Sequence, residues 1–385
     1  MQTPPARPLE GIRVVEFGQY IAVPGATQIL GDQGATVIKV EPPGGESTRV
    51  MPGYGAAMFH AYNRGKRMVE LDLKSEEGIA QARRLALSAD VVMSNLRPGA
   101  MERLGLGASA LREENPALIC IALTGFGDSG DMQYRPGLDI AAQAESGIMW
   151  VTGEAGGDPQ RVGFPVADAA ATSVIAQAAT AALVGRGRTG MGADIRLSLW
   201  DVAIQMQAAN WMDYALTGVE PTRTGNGHPG AAPAADLIHV LDGYVVISAY
   251  MPSHWASLCR LIGHPEYISD ERFSTSPARI ANRDALHAIL SDALRGRTRE
   301  EAVKFLVDAG LVAGAIKTYP EAQLERSAQP RSIFMPATRG TTGPEWYVGP
   351  AAWWDGVTLE ADPPKSVGAD NELLDDPWGP AQQSK

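Results

Sequence analysis

Residues 12–41 read IRVVEFGQYIAVPGATQILGDQGATVIKVE. Ile12–Phe17 is a short apolar run with valines and an aromatic, which reads as a strand, and Ala35–Val40 is a second such run. Between them Ala22–Leu30, entered through Pro24, reads as a helix. The second strand stops at Glu41-Pro42-Pro43, because proline lacks the N–H that a ladder needs. A strand, a helix and a strand over this length make one parallel α/β unit.

The pattern continues outward. Met68–Leu73 alternates with period two, and Ser75-Glu76-Glu77-Gly78 opens a helix with acids in its first turn, where the helix dipole favours them. Ala89–Ser94 is a buried strand followed by Asn95-Leu96-Arg97-Pro98-Gly99, and Leu118–Leu123 is another strand. Strands alternating with helices imply an α/β fold with a doubly wound, mostly parallel sheet. Asp139 and Asp168 each stand before helical runs, and Ile195–Leu216 reads as a strand leading into a long helix. Glycines and prolines after Thr217 mark a linker. An Asp242-Gly243 turn precedes the strand Tyr244–Ala249, a hairpin signal. Helical patterns follow at Ser253–Leu261 and Arg283–Leu294, and Thr298-Arg299-Glu300-Glu301 caps one that runs to Ala309-Gly310. The expected division is a large domain over residues 1–200, a linker helix and loop over 201–224, a smaller α+β domain over 225–325, and a C-terminal segment, 326–385, that returns to the large domain.

A chain of 385 residues can bury a large core. Its net charge of −11 argues against nucleic acid and anionic membrane surfaces as partners. The charge is uneven: residues 1–110 hold 12 Lys/Arg against 11 Asp/Glu, near +1, which leaves the remainder near −12. An anionic cofactor is therefore expected in the first third. The opening MQTPPARPLEG lacks the apolar stretch of a secretory leader. Cys120 and Cys259 lie far apart in apolar surroundings and read as reduced core thiols of a cytoplasmic protein. The uncharged stretch Ala169–Gly185 is short for a bilayer span and reads as a buried soluble helix.

The six histidines have no metal-ligand spacing, so no metal is expected. A phosphate-binding P-loop, a nucleophilic-serine motif and a dinucleotide fingerprint are all missing from the sequence. The remaining nucleophile candidates are carboxylates. Asp168, in VGFPVAD at the mouth of the Ala-rich helix, is the foremost. It reads either as a helix N-cap or as a reactive group, and the two are compatible, since a helix N-terminus favours the carboxylate form. The cap reading also covers Asp139. Small neighbours at Ala167, Ala169 and Ala170 leave room for a substrate carbonyl.

These blocks, in this order, resemble the class III CoA-transferases, the CaiB/BaiF group that includes formyl-CoA and carnitine CoA-transferases and α-methylacyl-CoA racemases. The resemblance runs from Pro8 to about Leu374 through LEGIRVVEF, GDQGATVIKVEPPGG, NRGKRMVELDLK, SNLRPGAMERLG, RGRTGMGADIRLSLWD and RTGNGHPG. It implies a Rossmann-like large domain plus a small domain, in two chains interlocked as rings in a homodimer. Asp168 matches the catalytic aspartate. Gln19, Ile21, Ala22, Lys39, Leu71, Lys74, Asn95, Leu96, Arg103 and Arg135 match positions lining the CoA site, and Arg97 joins the basic residues expected at the CoA phosphates. Thr224–Gly230, with Gly225, Gly227 and His228, is placed as the glycine-rich loop that closes over the substrate. The implied reaction moves CoA from an acyl-CoA to a free carboxylic acid, with no tightly bound cofactor. In the racemase branch a His precedes the aspartate of a Gly-His-Asp-type motif; here the motif is Gly137-Leu138-Asp139, and Leu transfers no proton. Ile21 stands where formyl-CoA transferase has a glutamine, and Pro42 where it has a basic CoA contact. An isomerase, racemase or dehydratase on a CoA thioester, and a non-catalytic acyl-CoA-binding protein, are the alternatives.

Overall fold

A computed structural model describes residues 7–227, 235–249, 251–338, 343–352, 359 and 361–378. Contacts divide the chain into two units, each discontinuous in sequence: residues 1–148, 162–212 and 326–385 form one, and 149–161 with 213–325 the other.

The first unit is built on six parallel strands, β1 (Arg13–Phe17), β2 (Thr36–Glu41), β3 (Arg67–Glu70), β4 (Val91–Ser94), β5 (Ile119–Thr124) and β6 (Asp194–Ser198). Their order is β3-β2-β1-β4-β5-β6, the doubly wound order in which the connections reverse direction between β1 and β4. Val15 sits level with Ile38 on one side and Val92 on the other. The central strands are mostly apolar on both faces because helices cover both, while the edge strand β6 alternates, with Asp194 and Arg196 exposed. On one face Val14, Val37, Val91, Ile119 and Ile121 pack beneath the helices Ala22–Asp32 and Val166–Thr189. On the other, Val15, Ile38, Val69 and Val92 meet Leu85 and Leu111 of the helices Glu76–Leu87 and Ala108–Glu114. Ser75 caps the first of these by accepting from the Gly78 N–H.

Val166–Thr189 is long and apolar enough to cross a bilayer by length and composition alone. It was expected to be buried; instead one stripe, through Ala171, Ile175, Ala176 and Ala179, packs into the core, while Val184 is exposed. The helix stops at Gly190, whose φ of +74° is the left-handed conformation that glycine adopts without penalty. The expected single helix after β6 is two helices, Leu199–Gln205 and Ala208–Thr217. The C-terminal segment lies along the free edge of β3: Met68 N–H donates to Asp370 and Glu70 N–H to Asn371, each at 2.8 Å.

The second unit holds an antiparallel sheet of β7 (Ala235–Val240), β8 (Gly243–Ser248) and β9 (Val312–Ala315), in that order. The hairpin from β7 to β8 turns at Leu241-Asp242, one residue earlier than expected, because Gly243 already pairs with Val240. Helices Pro252–Leu261, Arg283–Leu294 and Arg299–Val307 bury Trp255, Leu286, Leu290 and Leu306 against Ile238 and Val245. Thr298 and Glu301 form a reciprocal capping box at the last of these.

Candidate active site

Open α/β sheets bind ligands at the carboxyl ends of their strands, where the order reverses. Here that place is the turn Gly18–Ile21 leaving β1, beside Ser94-Asn95-Leu96 leaving β4. Asn95 fastens the two: its Oδ1 accepts from the Gln19 N–H at 2.9 Å and its Nδ2 donates to the Gln19 carbonyl at 2.8 Å. A cavity of about 550 Å³ opens next to this junction, lined among others by Phe17, Gly18, Gln19, Leu71, Lys74 and Leu96. Four residues expected at the CoA site thus share one cavity, and Asn95 fixes its wall. Lys74 is exposed at the cavity and forms no ion pair among the described residues.

The remaining expected contacts scatter. Ile21 and Ala22 are buried at the start of the first helix. Arg97 is exposed and lines a different cavity, of about 340 Å³, along the ends of β4, β5 and β6. Arg103 is exposed beside Gly99. Arg135 follows β5, pairs with Glu145 at 2.8 Å and stacks over Phe126. In the second unit, the Gly225 N–H donates to the Gly153 carbonyl, and a Cβ on Gly227 would stand 2.6 Å from the Arg283 guanidinium. Residues 228–230, His228 included, fall outside the described residues.

Lys39 is not where a phosphate contact would be. It has no solvent exposure; its Nζ lies 2.6 Å from Glu16, 3.0 Å from Glu46 and 2.8 Å from the Gly18 carbonyl. Lys66, equally buried, donates to Glu16 at 2.7 Å and to the Pro24 carbonyl at 2.8 Å. Two cations and two carboxylates neutralise each other in the core beneath the turn, so the charge of Lys39 is spent inside the protein. Burial alone would raise the Glu16 pKa, but Lys39 and Lys66 overcome it and hold the group at about 2. Burial works against the Lys39 charge as well, but Glu16 and Glu46 outweigh it and raise its pKa. Lys66 has one carboxylate at contact distance and a neighbouring cation; burial and Lys39 bring it to about 8, with Glu16 opposing. Sequence reading missed Glu16, Glu46 and Lys66. The available signal was opposite charges in two apolar strands, Glu16 and Lys39, which the parallel register places side by side.

Asp168 is the third residue of the helix Val166–Thr189, not its N-cap; Pro165 holds that position without a side-chain bond. The cap comes from Asp139. Its Oδ1 accepts from the N–H groups of Ala167 at 2.8 Å and Asp168 at 3.3 Å, while its Oδ2 accepts from Gln143 at 2.6 Å. Asp139 was expected to cap its own helix, Asp139–Glu145, but is that helix's first residue, after Leu138. With the amide donors taken, neither carboxylate oxygen of Asp168 accepts a hydrogen bond from a described residue. Burial first, and then the Asp139 charge, raise its pKa to about 7. The helix N-terminus does not keep it as acidic as the sequence suggested.

Asp168 adjoins the strand-end turn. Thr172, one helical turn on, donates to the Asp168 carbonyl at 3.1 Å and to the Ala22 carbonyl at 3.3 Å. The two helices touch through Gly25: a Cβ there would stand 2.7 Å from Thr172 Oγ1 and 3.2 Å from the Tyr62 ring. The Tyr62 phenol has its pKa raised by burial and then by the charges of Tyr54 and Asp168. The segment Gln19–Ala22 therefore has the 550 Å³ cavity at one end and the helix of Asp168 at the other. Asp168 is not itself among the residues lining that cavity, but a carboxylate without hydrogen bonds from described residues suits nucleophilic attack on a carbonyl. No cluster of three or more metal-ligating side chains occurs among the described residues.

A family model described as CoA-transferase family III matches residues 9–371. A probable fatty acyl-CoA transferase of Mycobacterium tuberculosis is 38% identical, over 96% of this chain and 98% of the relative. The succinate–glutarate CoA-transferase of Agrobacterium fabrum is 35% identical, over 85% of this chain and 84% of the relative. Among solved structures, a CAIB/BAIF family protein from Brucella suis has a TM-score of 0.84 and 34% identity, covering 96% of this chain and 99% of that one.

Proposed function

The chain belongs to CoA-transferase family III, and on that premise we propose that Asp168 carries the acyl group and CoA in turn as CoA passes from a thioester to a free carboxylic acid. One observation carries the proposal: Asp168, its carboxylate free of hydrogen bonds from the described residues, is joined through Thr172 and Ala22 to the turn that walls the switch-point cavity.

The ionised carboxylate attacks the donor thioester carbonyl; the C–S bond breaks, and CoA leaves as the thiolate with an aspartyl–acyl anhydride behind it. The thiolate then attacks the Asp168 carbonyl of the anhydride, which frees the donor carboxylate and forms an aspartyl-CoA thioester. The acceptor carboxylate attacks this thioester, expels the thiolate and restores an anhydride. Attack of the thiolate on the acceptor's acyl carbon releases the new acyl-CoA and the Asp168 carboxylate. Each step exchanges one nucleophile for one leaving group, the advantage of covalent catalysis. Of the small neighbours, Ala167 and Ala170 pack into the core, which leaves Ala169 as the one beside the reacting centre.

The cavity holds part of CoA, with Gln19, Leu71 and Leu96 around it, and Lys74 is the basic residue at its wall that would meet a phosphate. A second copy of the chain, interlocked with the first, completes the enzyme, and the buried unpaired Cys120 and Cys259 suit a reducing cytoplasm. Succinyl-CoA, acetyl-CoA and a fatty acyl-CoA are the donors to try first, since the printed names of relatives include succinyl-CoA:mesaconate, acetyl-CoA:oxalate and fatty acyl-CoA transferases. Asp168→Ala abolishes transfer on this account. Retention of more than a few per cent of wild-type activity would sink the assignment. Activity lost together with CoA binding would leave a binding role in its place.

A further inference from the structure

Tyr20 is the one non-glycine residue with positive φ among the described residues, at +64°. It lies in the turn between β1 and the first helix, where nothing in the sequence calls for a glycine-like conformation. A left-handed tyrosine is strained and persists only where its surroundings hold it. Asn95 holds the Gln19 backbone and Ser47 donates to the Tyr20 phenol, and buried charges bracket the turn from below. On one side of Tyr20, Lys39 Nζ donates to the Gly18 carbonyl at 2.8 Å; on the other, Lys66 Nζ donates to the Pro24 carbonyl at 2.8 Å. Both ammonium groups are fixed by Glu16, from the strand that feeds the turn. Thr27 donates both to Glu16 and to the Pro24 carbonyl. Gly18 sits directly on this group, since a Cβ there would come within 2.9 Å of Glu16 Oε1. A buried ion cluster adds little net stability compared with apolar residues of the same volume, so its bonds to the Gly18 carbonyl before Tyr20 and to the Pro24 carbonyl in the first turn of the helix after it point to a use other than holding the core.

We propose that Lys39 and Lys66, anchored on Glu16, are positioning residues for CoA: they lock the Gly18–Pro24 segment around the strained Tyr20 so that Gly18 and Gln19 form the wall of the switch-point cavity. The inference rests on the reading of that cavity as a CoA site. Neither lysine touches the ligand; each acts through a backbone carbonyl.

A double-mutant cycle with free coenzyme A, read by calorimetry, tests this. Lys66→Met keeps the length of the side chain and removes the bond to Pro24. If the lock holds Tyr20 against strain, Lys66→Met weakens CoA binding by about tenfold in the Tyr20 protein. Glycine takes φ of +64° without strain, so in the Tyr20→Gly background the same change weakens binding by less than about twofold. A purely structural role gives the same loss in both backgrounds, which overturns the proposal; so does unchanged CoA affinity in Lys66→Met. Should Lys66→Met fail to fold, Thr27→Val, which deletes the hydroxyl bonded to Glu16 and Pro24, is judged by the same cycle with a loss of about threefold. Failure of the unaltered protein to bind CoA refutes the cavity reading, and the proposal with it.

Discussion

Replacing Asp168 by asparagine will stabilise the protein while removing its activity, and the gain will depend on pH. The folded-state pKa of Asp168 is about 7 against a reference of 3.8, because burial and Asp139 oppose the charge. The sign follows from linkage. A carboxyl whose folded pKa is raised binds its proton more tightly folded than unfolded, so stability falls as pH rises from the unfolded value through the folded one. Above both pKa values the whole penalty is present. That difference corresponds to about 4 kcal/mol. The side chain is half-buried, so solvent screening reduces this to about 2–4 kcal/mol. Below the unfolded pKa the penalty is absent. The asparagine side chain carries no charge and forfeits no hydrogen bond, since the carboxylate it replaces accepts none from the described residues. Urea unfolding at about pH 4.5 and about pH 8, at equal protein concentration, should show the advantage of Asp168→Asn over wild type growing by about 2–3 kcal/mol between the two, with unchanged m. An advantage that is equal at both pH values, or a variant less stable than wild type at the higher one, would refute the reasoning.

Three further outcomes follow from the same geometry. If the ionised form of Asp168 is the nucleophile, kcat/KM rises with pH through about 7; Asp139→Asn keeps a cap acceptor but removes the nearby charge, so the acid limb should move to lower pH, and an unmoved limb would contradict the Asp139 effect. Lys74→Ala should raise KM for CoA esters several-fold with little change in kcat, and the effect should fade with added salt because the side chain is exposed; a loss confined to kcat would count against a binding role. Gly25→Val should lower the unfolding free energy by about 1–3 kcal/mol and depress activity, because the first atom of its side chain would stand 2.7 Å from Thr172 Oγ1; thermal melts and transfer rates at wild-type levels would show that the helices separate freely there.

The sheet was legible because its central strands are mostly apolar on both faces and end at strong breakers. Ile12–Phe17 and Ala35–Val40 were read from Val-rich runs and closed by glycine and proline, and the structure places strands at Arg13–Phe17 and Thr36–Glu41. The capping box at Thr298 was legible because cap and helix are neighbours in sequence. The site was less so, because its electrostatics come from residues distant in the chain. Asp139 caps a helix that begins 27 residues later, and a local reading gave that task to Asp168. Lys39 looked like a free cation at a strand end; only the pairing of β1 with β2, and the return of the loop bearing Glu46, reveal that it is neutralised inside the core. The strain at Tyr20 is likewise a property of the assembled turn.

The most direct test is mass spectrometry of the protein mixed with each donor in turn. The account predicts a CoA-sized adduct on the peptide bearing Asp168, lost on addition of an acceptor acid and absent from Asp168→Ala. Tight CoA binding with every donor but no adduct on that peptide would contradict the aspartyl-CoA intermediate.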